Sequence, residues 1–524
     1  MSFWNTFRFS QLATTVLRVD DRLRVVLSKP WFAPTPLGVF LRLSVAVGIG
    51  VVLALGVIVA ASLPRDRMVL VLGAMAAPFA VMIVNNLRLL FLSVIPFEIA
   101  LPIDTNLNYN YKAAEFSALG GFNISLTTMM LGVLYALWIA QLLAQQGKLH
   151  RSMPIIPIPH LLYFVVVACS WFYAYDPVLS LNEIILVFYA LLIHIYIVST
   201  VRNKAELHHL VIILMAAIAV QGVLMMMVRV ISDDIYLGPI FVRFDSETSR
   251  VGGSTGSPNG TASYLTMLLP ICVVALVNAK KHWIKLLAGG SFLLGIIGLF
   301  LTQSRGGLIG FGLAMVILIL MSAGRGWMKL RWPFIITYVG ILPLVIAAPI
   351  LMPRFFEDDG GSAESRGPLS QIAWDMIQDH SIFGIGANNF AIVKEQYITP
   401  EFGDMWLSTV HNHYLRIWAE MGIIGLIVYL ILVGYILYTG IRCWSLRPVD
   451  PFLGMLAIGL SAGLIGVSLQ ITFDIFNARP QLHTMWLVSS LIFVCFHLAR
   501  DEVRQHAAQQ PEAAPPSAGV NIPS

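Results

Sequence analysis

Apolar runs of about twenty residues recur along nearly the whole of this 524-residue chain. A helix needs roughly 20 apolar residues to cross the hydrocarbon layer of a membrane. The runs lack the alternation of apolar and polar residues that marks the strands of a membrane β-barrel. With 57% hydrophobic and 12% charged residues, the composition lies far from soluble domains, which are about 25% charged. The sequence therefore predicts an all-α, polytopic transmembrane helical bundle.

The apolar runs give fourteen candidate spans. The third is short and contains Pro96 and Glu98, which fits a tilted or re-entrant segment, so the predicted number of spans is 12 to 14. The candidates are residues 38–63, 68–84, 89–101, 122–144, 155–173, 179–200, 207–231, 260–279, 284–302, 306–323, 333–352, 422–444, 452–473 and 480–498.

Basic residues are concentrated in alternate loops, and cytoplasmic loops of membrane proteins carry an excess of Lys and Arg. This pattern predicts a cytoplasmic N-terminus, and Arg65 with Arg67 in the first outside turn are its exceptions. The net charge of +5 mostly reflects these loops, and no basic-aromatic motif indicates nucleic-acid binding. The predicted cytoplasmic basic residues between spans include Arg88, Lys148, Arg151, Arg202, Lys204, Lys280, Lys281, Lys285, Arg325, Lys329, Arg331, Arg442 and Arg447.

Four regions follow from this topology. Residues 1–36 form a cytoplasmic amphipathic segment, because aromatic residues occur among arginines without a continuous apolar core. Residues 37–250 form an N-terminal transmembrane region, and residues 251–500 form a second transmembrane domain. Residues 501–524, rich in Ala, Pro and Gln towards the end, are predicted to be a disordered cytoplasmic tail.

The loop 353–413 is the longest predicted segment outside the membrane. A helix is expected behind Arg366-Gly367-Pro368, because proline suits the first helical turn. Gly384 and Gly386 should turn the chain, and short helices should follow at 388–397 and 411–420. The apolar residues that recur at helical spacing in the first helix are Leu369, Ile372, Ala373, Met376 and Ile377.

Ionisable residues are placed by the topology near the outer ends of several spans. Such residues at membrane depth usually face a cavity or a partner. The outer half of the bundle is therefore predicted to enclose a polar chamber. The residues at this level are Glu98, Glu183, Arg229, Arg305, Asp474 and Arg479.

Arg305 lies in Thr302-Gln303-Ser304-Arg305-Gly306-Gly307, between two apolar spans on the side where basic residues are disfavoured. One interpretation is an arginine that snorkels to lipid headgroups. The other is a phosphate clamp, because guanidinium offers a fixed fork of donors that fits diphosphate oxygens. The flanking glycines would let a headgroup or another helix approach closely.

Several motifs follow one another in the second domain, beginning with Gly256-Ser257-Pro258-Asn259-Gly260. The later motifs are Ser304-Arg305-Gly306-Gly307, Ser365-Arg366 with Trp374, Phe383-Gly384-Ile385-Gly386-Ala387-Asn388-Asn389-Phe390, His411-Asn412-His413-Tyr414-Leu415 and Glu420-Met421-Gly422-Ile423-Ile424-Gly425. Taken in order, these motifs resemble the O-antigen ligase/polymerase family, and the similarity covers about residues 250–435.

The resemblance implies a GT-C-like glycosyltransferase of the bacterial inner membrane, with its active site facing the periplasm. The donor would be an undecaprenyl-diphosphate-linked oligosaccharide, and the acceptor a glycan, a lipid or a protein. No metal and no cofactor are implied. A flippase and a chain-length regulator are implied partners, beside membrane lipids.

The resemblance also implies site residues. Arg305 and Arg366 would clamp the diphosphate, and His411 would lie near the reacting hydroxyl, since histidine can accept a proton at neutral pH. Structural alternatives exist for each: His411 as a capping residue, Arg366 as a partner of Glu364 or Asp375. Further candidates for substrate binding, each with a structural alternative, are Arg243, Arg250, Asn259, Glu420 and Arg479.

Other functions remain open from the sequence. Within the family, repeat-unit polymerisation of exopolysaccharide or O-antigen is favoured by the extra spans and by Asn106-Leu107-Asn108-Tyr109-Asn110-Tyr111, with ligation to lipid A core or protein as the alternative. A polysaccharide transporter or lipid-linked glycan flippase should spread its charges through the midplane and show a two-fold repeat. A structural or regulatory subunit would leave Arg305 and His411 replaceable.

Overall fold

The computed structural model describes residues 87–144, 154–238, 240–329, 366–399, 408–446 and 450–509. The chain divides into two compact units, Met1–Leu90 and Phe91–Ser524, and the elements below lie in the second unit apart from residues 87–90. The predictions for the segment 1–36, for the spans 38–63, 68–84 and 333–352, and for Arg65 and Arg67 fall outside the described residues.

Helices dominate the described residues, and eight of them are long and apolar enough to cross a membrane. Each of the eight coincides with a predicted span, so the predicted all-α polytopic fold is confirmed. In chain order the helices are α1 (Leu87–Ala100), α2 (Tyr111–Glu115), α3 (Leu126–Ala144), α4 (Ile158–Cys169), α5 (Pro177–Thr200), α6 (Lys204–Ile231), α7 (Pro258–Asn278), α8 (His282–Leu301), α9 (Arg305–Gly324), α10 (Arg366–Asp379), α11 (Phe390–Val393), α12 (His413–Ser445), α13 (Pro451–Gln470) and α14 (Arg479–Gln509), and the eight candidate spans are α5 to α9 and α12 to α14.

The short third candidate, 89–101, corresponds to α1, whose described residues Leu87–Ala100 include Pro96. One predicted boundary differs from the structure. The predicted disordered tail from residue 501 is wrong in its first part, because α14 continues to Gln509. Glu502, within this extension, forms an ion pair with Lys204 at the start of α6.

Helices α7, α13 and α14 form the centre of the second unit. In the most apolar 18-residue stretch of each helix, 89% of the residues are buried in α7, 83% in α13 and 89% in α14. The corresponding values for α8 and α9 are 39% and 33%. Helices that are apolar all round and buried pack against other helices rather than against lipid. The central three therefore set the frame on which the outer helices are placed.

Glycines allow the close packing of α9 on this centre. A Cβ atom on Gly310 would collide with the backbone of Gly466 in α13, and one on Gly307 would collide with Ala262 in α7. Small residues at helix contacts let backbones approach in membranes, where van der Waals packing drives association. The glycines after Arg305 thus fix where α9 begins relative to α7 and α13.

Two small antiparallel sheets lie in the connections, and the sequence did not predict them. Strands β1 (Asp104–Leu107) and β2 (Phe122–Ser125) form a hairpin around α2. A second sheet has the order β3 (Ile235–Leu237), β4 (Ile240–Asp245) and β5 (Arg250–Gly253). These strands of three to six residues are too short to show a clear alternation in the sequence.

The extramembrane segment folds around the helix that was predicted behind Arg366. All five apolar residues of the predicted stripe in α10 are buried, which confirms its amphipathic character. They form one hydrophobic cluster with Phe390 of α11 and Ala419 of α12, while Leu415 and Trp418 pack against its edge. The predicted short helix at 388–397 is α11 followed by a 3-10 turn, Lys394–Gln396.

A break at Gly422 divides α12 into an outer and an inner part, because its φ of +67° is not helical. The loop at Gly384 and Gly386 pairs with this break: Ile385 N donates to Ala419 O at 3.1 Å and Gly386 N to Glu420 O at 2.8 Å. A Cβ on Gly384 would collide with the backbone of Glu420. The motif that contains Gly384 and Gly386 therefore contacts the motif that begins at Glu420, and the glycines of both motifs allow this close approach.

The 3-10 turn contains a buried lysine outside the membrane-spanning helices. Lys394 Nζ lies 3.5 Å from the ring centroid of Phe116. Burial lowers the pKa of Lys394 to about 8, although the neighbouring carboxylates of Glu395 and Glu115 act in the opposite direction. The folded state therefore binds this proton less tightly than the unfolded state does.

This pKa predicts a pH-dependent stability. Below pH 8 the buried charge of Lys394 lowers the free energy of unfolding by its full amount. This loss of stability is relieved as the pH rises from about 8 towards 10.5, the pKa of lysine in the unfolded chain. Over this window the wild type should gain stability relative to Lys394→Met, by at most about 3 kcal/mol. The measurement is the melting temperature of both proteins in detergent at several pH values. Lys112→Met, at an exposed lysine, should follow the wild type, and identical pH slopes for Lys394→Met and wild type would contradict the prediction.

Candidate functional site

Three connections lie at the same end of the bundle, because successive spans run in opposite directions. They are the links from α6 to α7, from α8 to α9 and from α13 to α14. At the other end Lys204 Nζ lies 2.6 Å from Asp450 and also pairs with Glu502. The end with the three connections is called the outer end below, since the basic loops are at the opposite end.

A polar cavity of about 340 Å³ opens at the outer end, and it is called the arginine cavity here. Five of the predicted site residues line it: Arg250, Asn259, Arg305, Arg366 and His411. They come from β5, α7, α9, α10 and the residues before α12, so only the tertiary fold brings them together. The other lining residues are Gln303, Ser304, Gly306, Ile309, Gln470, Phe473 and Asp474.

Arg250 is held in place by two neighbours. Its Nε donates to the carbonyl of Thr302 at 2.9 Å, and its Nη2 donates to Asn259 Oδ1 at 2.6 Å. Asn259 therefore has a structural role, because it orients Arg250 in the cavity wall. The backbone carbonyl of Asn259 in turn accepts from Gln470 Nε2 at 3.0 Å, which connects α7 to the end of α13.

Helix N-termini surround the cavity. Arg305 is the first residue of α9, whose cap Ser304 accepts from Gly307 N at 3.2 Å. His411 directly precedes Asn412, the cap of α12, and Asn259 is the second residue of α7. The first turn of a helix presents backbone N–H groups and the positive end of its dipole, which favours anions. The helix dipoles and the three arginines of the cavity thus both favour the binding of an anion.

His411 and Asp474 face each other across one side of the cavity. His411 Nδ1 lies 3.8 Å from Asp474 Oδ1, and the two side chains are 25% and 9% exposed. At this distance the pair is an electrostatic contact rather than a hydrogen bond. His411 Nδ1, Arg366 Nε and Gln470 Oε1 are buried and have no hydrogen-bond partner among the described residues. His411 Nδ1 faces Asp474, so Arg366 Nε and Gln470 Oε1 are the two of these atoms that could serve a bound molecule as donor and acceptor.

Glu420 is not in the arginine cavity. Its Oε1 atom lies 3.2 Å from Arg416 Nε and accepts from Phe390 N at 3.1 Å. Arg416 Nη2 also contacts Glu183 Oε2 of α5 at 3.3 Å, and both Arg416 and Glu420 are nearly inaccessible. This ion network joins α5, α11 and the outer part of α12, so the geometry gives Glu420 a structural position.

Replacing Arg416 by Ala should destabilise the protein strongly. The change would leave Glu183 and Glu420 buried without a counter-charge, which typically costs about 3–5 kcal/mol. A clear fall in the detergent melting temperature is the expected result. The double variant Arg416→Met with Glu420→Gln removes charge from both partners and should recover part of the loss, whereas an unchanged melting temperature for Arg416→Ala would contradict the network.

Arg479 is also placed away from the arginine cavity. Its Nη1 and Nη2 atoms contact both oxygens of Glu98, at 3.0 and 2.8 Å, and its Nε contacts Asp104 at 2.8 Å. Its side chain is 5% exposed. Arg243, in β4, is exposed and does not line the cavity either. Of the eight predicted residues, Glu420, Arg479 and Arg243 are thus the three that lie elsewhere.

Several residues of the site were missed by sequence reasoning. Gln303, Gln470 and Phe473 line the cavity, but single polar or aromatic residues at span ends carry no specific signal. Asp474 was placed at the correct depth without a connection to His411. Arg416 stands four residues before Glu420, a spacing that places both on one helix face and could have indicated the pair.

Residues 290–430 match the family model described as O-antigen ligase. The chain therefore carries an O-antigen ligase-like domain. This match contains Arg305, Arg366 and His411, while Arg250, Asn259 and Asp474 lie outside it. A comparison with curated proteins gave no match. Together with the eight apolar helices, the domain makes this a multi-pass membrane enzyme of glycan assembly.

Proposed function

We propose that this O-antigen ligase-like protein is an inner-membrane glycosyltransferase whose donor is an undecaprenyl-diphosphate-linked glycan at the periplasmic face. Its most favoured reaction is the polymerisation of exopolysaccharide or O-antigen repeat units. The observation that carries the proposal is the arginine cavity, where Arg305, Arg366 and Arg250 meet His411 at the outer end of the spans.

The arginines would stabilise the leaving group. Glycosyl transfer breaks the bond between the anomeric carbon and the diphosphate, so negative charge develops on the departing oxygens. Fixed guanidinium groups supply positive charge where the charge develops and need no reorganisation at that moment. The first turn of α9 adds backbone N–H groups beside Arg305. Arg250 is already held by its hydrogen bond to Asn259. It would therefore stay in place during the reaction and position one phosphate of the donor's diphosphate.

His411 would take the proton of the acceptor hydroxyl as that oxygen attacks the anomeric carbon. Asp474 near Nδ1 would stabilise the imidazolium that forms and leave Nε2 for the hydroxyl. Catalysis by a positioned base contributes typically about 10² to 10⁴ in rate. The 3.8 Å separation is long, as is common for catalytic contacts before substrate binds.

The test is a turnover assay with purified protein in lipid nanodiscs. Undecaprenyl-diphosphate-linked glycan is supplied without nucleotide sugar, in buffer containing a chelator, and the products are resolved on a gel. A ladder of products supports polymerisation. Free diphosphate lipid with no glycan product, or no release of diphosphate lipid even with lipid A core or protein acceptor added, would contradict a glycosyltransferase.

Ligation is the second candidate, and the matched family model, described as O-antigen ligase, favours it. In this case the glycan would be transferred to lipid A core or to protein. The same assay distinguishes the two reactions when the candidate acceptor is added: one shifted lipid or protein band indicates ligation, and a ladder indicates polymerisation.

A polysaccharide transporter or flippase is the alternative from another class. Arg416 and Glu183, which are charged residues of two candidate spans, pair with each other near the outer end. Translocation of a labelled lipid-linked glycan in liposomes, without any glycosidic product, would favour that alternative.

A further inference from the structure

A second polar cavity lies at the outer end, and its lining differs in chemistry from the arginine cavity. Its volume is about 530 Å³, within the range of about 300–1,000 Å³ that ligand sites occupy. The hairpin β1–β2, the residues before α7 and the start of α14 form its walls. We call it the asparagine cavity, after Asn106, Asn123 and Asn182 in its lining.

In the part of the chain that the structure describes, the one arginine of the asparagine cavity is paired with two carboxylates, so the cavity wall carries no excess of positive charge. Arg479 is its only cationic lining residue among the described residues, and Glu98 and Asp104 bind all three of its guanidinium nitrogens. An arginine neutralised in this way offers little attraction to a phosphate. The wall therefore suits a neutral polar ligand rather than an anion.

The amide groups of the cavity match the needs of sugar hydroxyls, which donate and accept hydrogen bonds. Asn123 Nδ2 donates to Asn106 Oδ1 at 3.1 Å, while Asn123 Oδ1 is buried with no partner among the described residues. An unmet buried acceptor favours a ligand that donates to it. Tyr109, whose side chain is 41% exposed, and Phe241 add aromatic surface against which the C–H face of a sugar ring can stack.

The two cavities share a wall. Gly256 lines the asparagine cavity and Asn259 the arginine cavity, so three peptide units, at most roughly 11 Å, separate these points. The α13–α14 connection also reaches both cavities: Asp474 lines the arginine cavity and Ala478 lines the asparagine cavity. A glycan in the asparagine cavity could thus place a hydroxyl at the edge of the arginine cavity, near His411.

We propose that the asparagine cavity binds the acceptor glycan, with Asn106, Asn123 and Asn182 as hydrogen-bonding residues and Tyr109 as a stacking platform. The inference rests on the proposed glycosyltransferase function. The donor's diphosphate would occupy the arginine cavity, and the shared wall would bring the acceptor hydroxyl to the donor sugar. Specificity for the acceptor would then depend on the hairpin β1–β2, which lies outside the O-antigen ligase-like domain.

Protection of a reporter cysteine tests this binding without turnover. Cys169 is the exposed native cysteine of the described residues and is replaced by Ala. Ala118→Cys then places a thiol in the lining of the asparagine cavity, and Ser445→Cys places a control thiol at an exposed position of the other end. The probe is the free oligosaccharide released by mild acid from the lipid-linked glycan of the same cells, and the readout is the rate of maleimide labelling.

The expected result is slower labelling of Ala118→Cys by at least about fivefold with the free oligosaccharide, and no change at Ser445→Cys. Addition of Asn123→Ala should raise the concentration for half-protection about three- to tenfold, the usual effect of one lost hydrogen bond. Protection should persist when Arg305→Ala is added, because the free oligosaccharide used as the probe carries no diphosphate.

Two results would overturn the proposal. No protection at any soluble concentration would mean that the cavity does not bind the glycan. Protection that requires the intact lipid-linked glycan and disappears with Arg305→Ala would assign the cavity to the donor's own sugar chain. Turnover is measured separately on the wild type, so a failure of the proposed reaction with oligosaccharide protection retained would leave the binding site standing.

Discussion

Arg305→Ala is expected to lower the rate of glycan transfer by about 10² to 10³, because one fixed donor to a developing anion is worth this much in other active sites. The guanidinium lies at the first position of α9, beside the backbone N–H groups of the same turn. The measurement is the initial rate of diphosphate-lipid release in the nanodisc assay. Arg305→Ala combined with Arg366→Ala should abolish detectable product.

Two control variants separate the chemistry from folding. Arg305→Lys keeps the charge but loses the planar fork of donors, so it should retain a fraction of the activity. Arg442→Ala removes an exposed arginine at the other end of the bundle and should leave the rate unchanged. All variants should melt close to the wild type, and full activity in Arg305→Ala would remove this residue from the site.

His411→Ala should lower the maximal rate by about 10² to 10⁴, because the acceptor hydroxyl would then lose its proton to water. The donor still binds through the arginines, so the KM for the lipid-linked glycan should change much less than kcat. This separation is the measurement that distinguishes a base from a binding residue, since a lost binding contact would mainly raise KM.

Asp474→Asn is the matched test of the histidine's partner. It removes the charge 3.8 Å from His411 while keeping size, and it should cost about tenfold, or about 1.4 kcal/mol. Because Asp474 acts through His411, the double variant with His411→Ala should be no slower than His411→Ala alone. Additive losses in the double variant would show that Asp474 acts independently.

The span pattern shows how far a sequence of this kind can be interpreted. Each of the eight long apolar helices coincides with a predicted span, because the cost of burying charge and unpaired backbone in lipid leaves few alternatives. The amphipathic helix behind Arg366 was equally predictable, since its apolar residues recur at helical spacing. The O-antigen ligase-like domain was indicated by motifs in order, and the family match covers all of them except Gly256-Ser257-Pro258-Asn259-Gly260.

The partners of the polar side chains could not be predicted from the sequence in the same way. Arg305 and Arg479 both lie at the outer ends of spans, yet one lines the arginine cavity and the other is enclosed by Glu98 and Asp104. Glu420 stands in a motif beside His411 in sequence, but it turns to Arg416 and the backbone of Phe390. Position along a span gives the depth of a side chain and leaves its partner undetermined.

The sequence by itself determined the membrane class, the helices and the depth at which the polar residues occur, because hydrophobicity and helical spacing are properties of local segments. Only the tertiary structure decided which of these residues share a cavity, since that depends on how α7, α9 and α13 approach one another through small residues. Contacts between distant segments are set by close packing, and no local pattern records them.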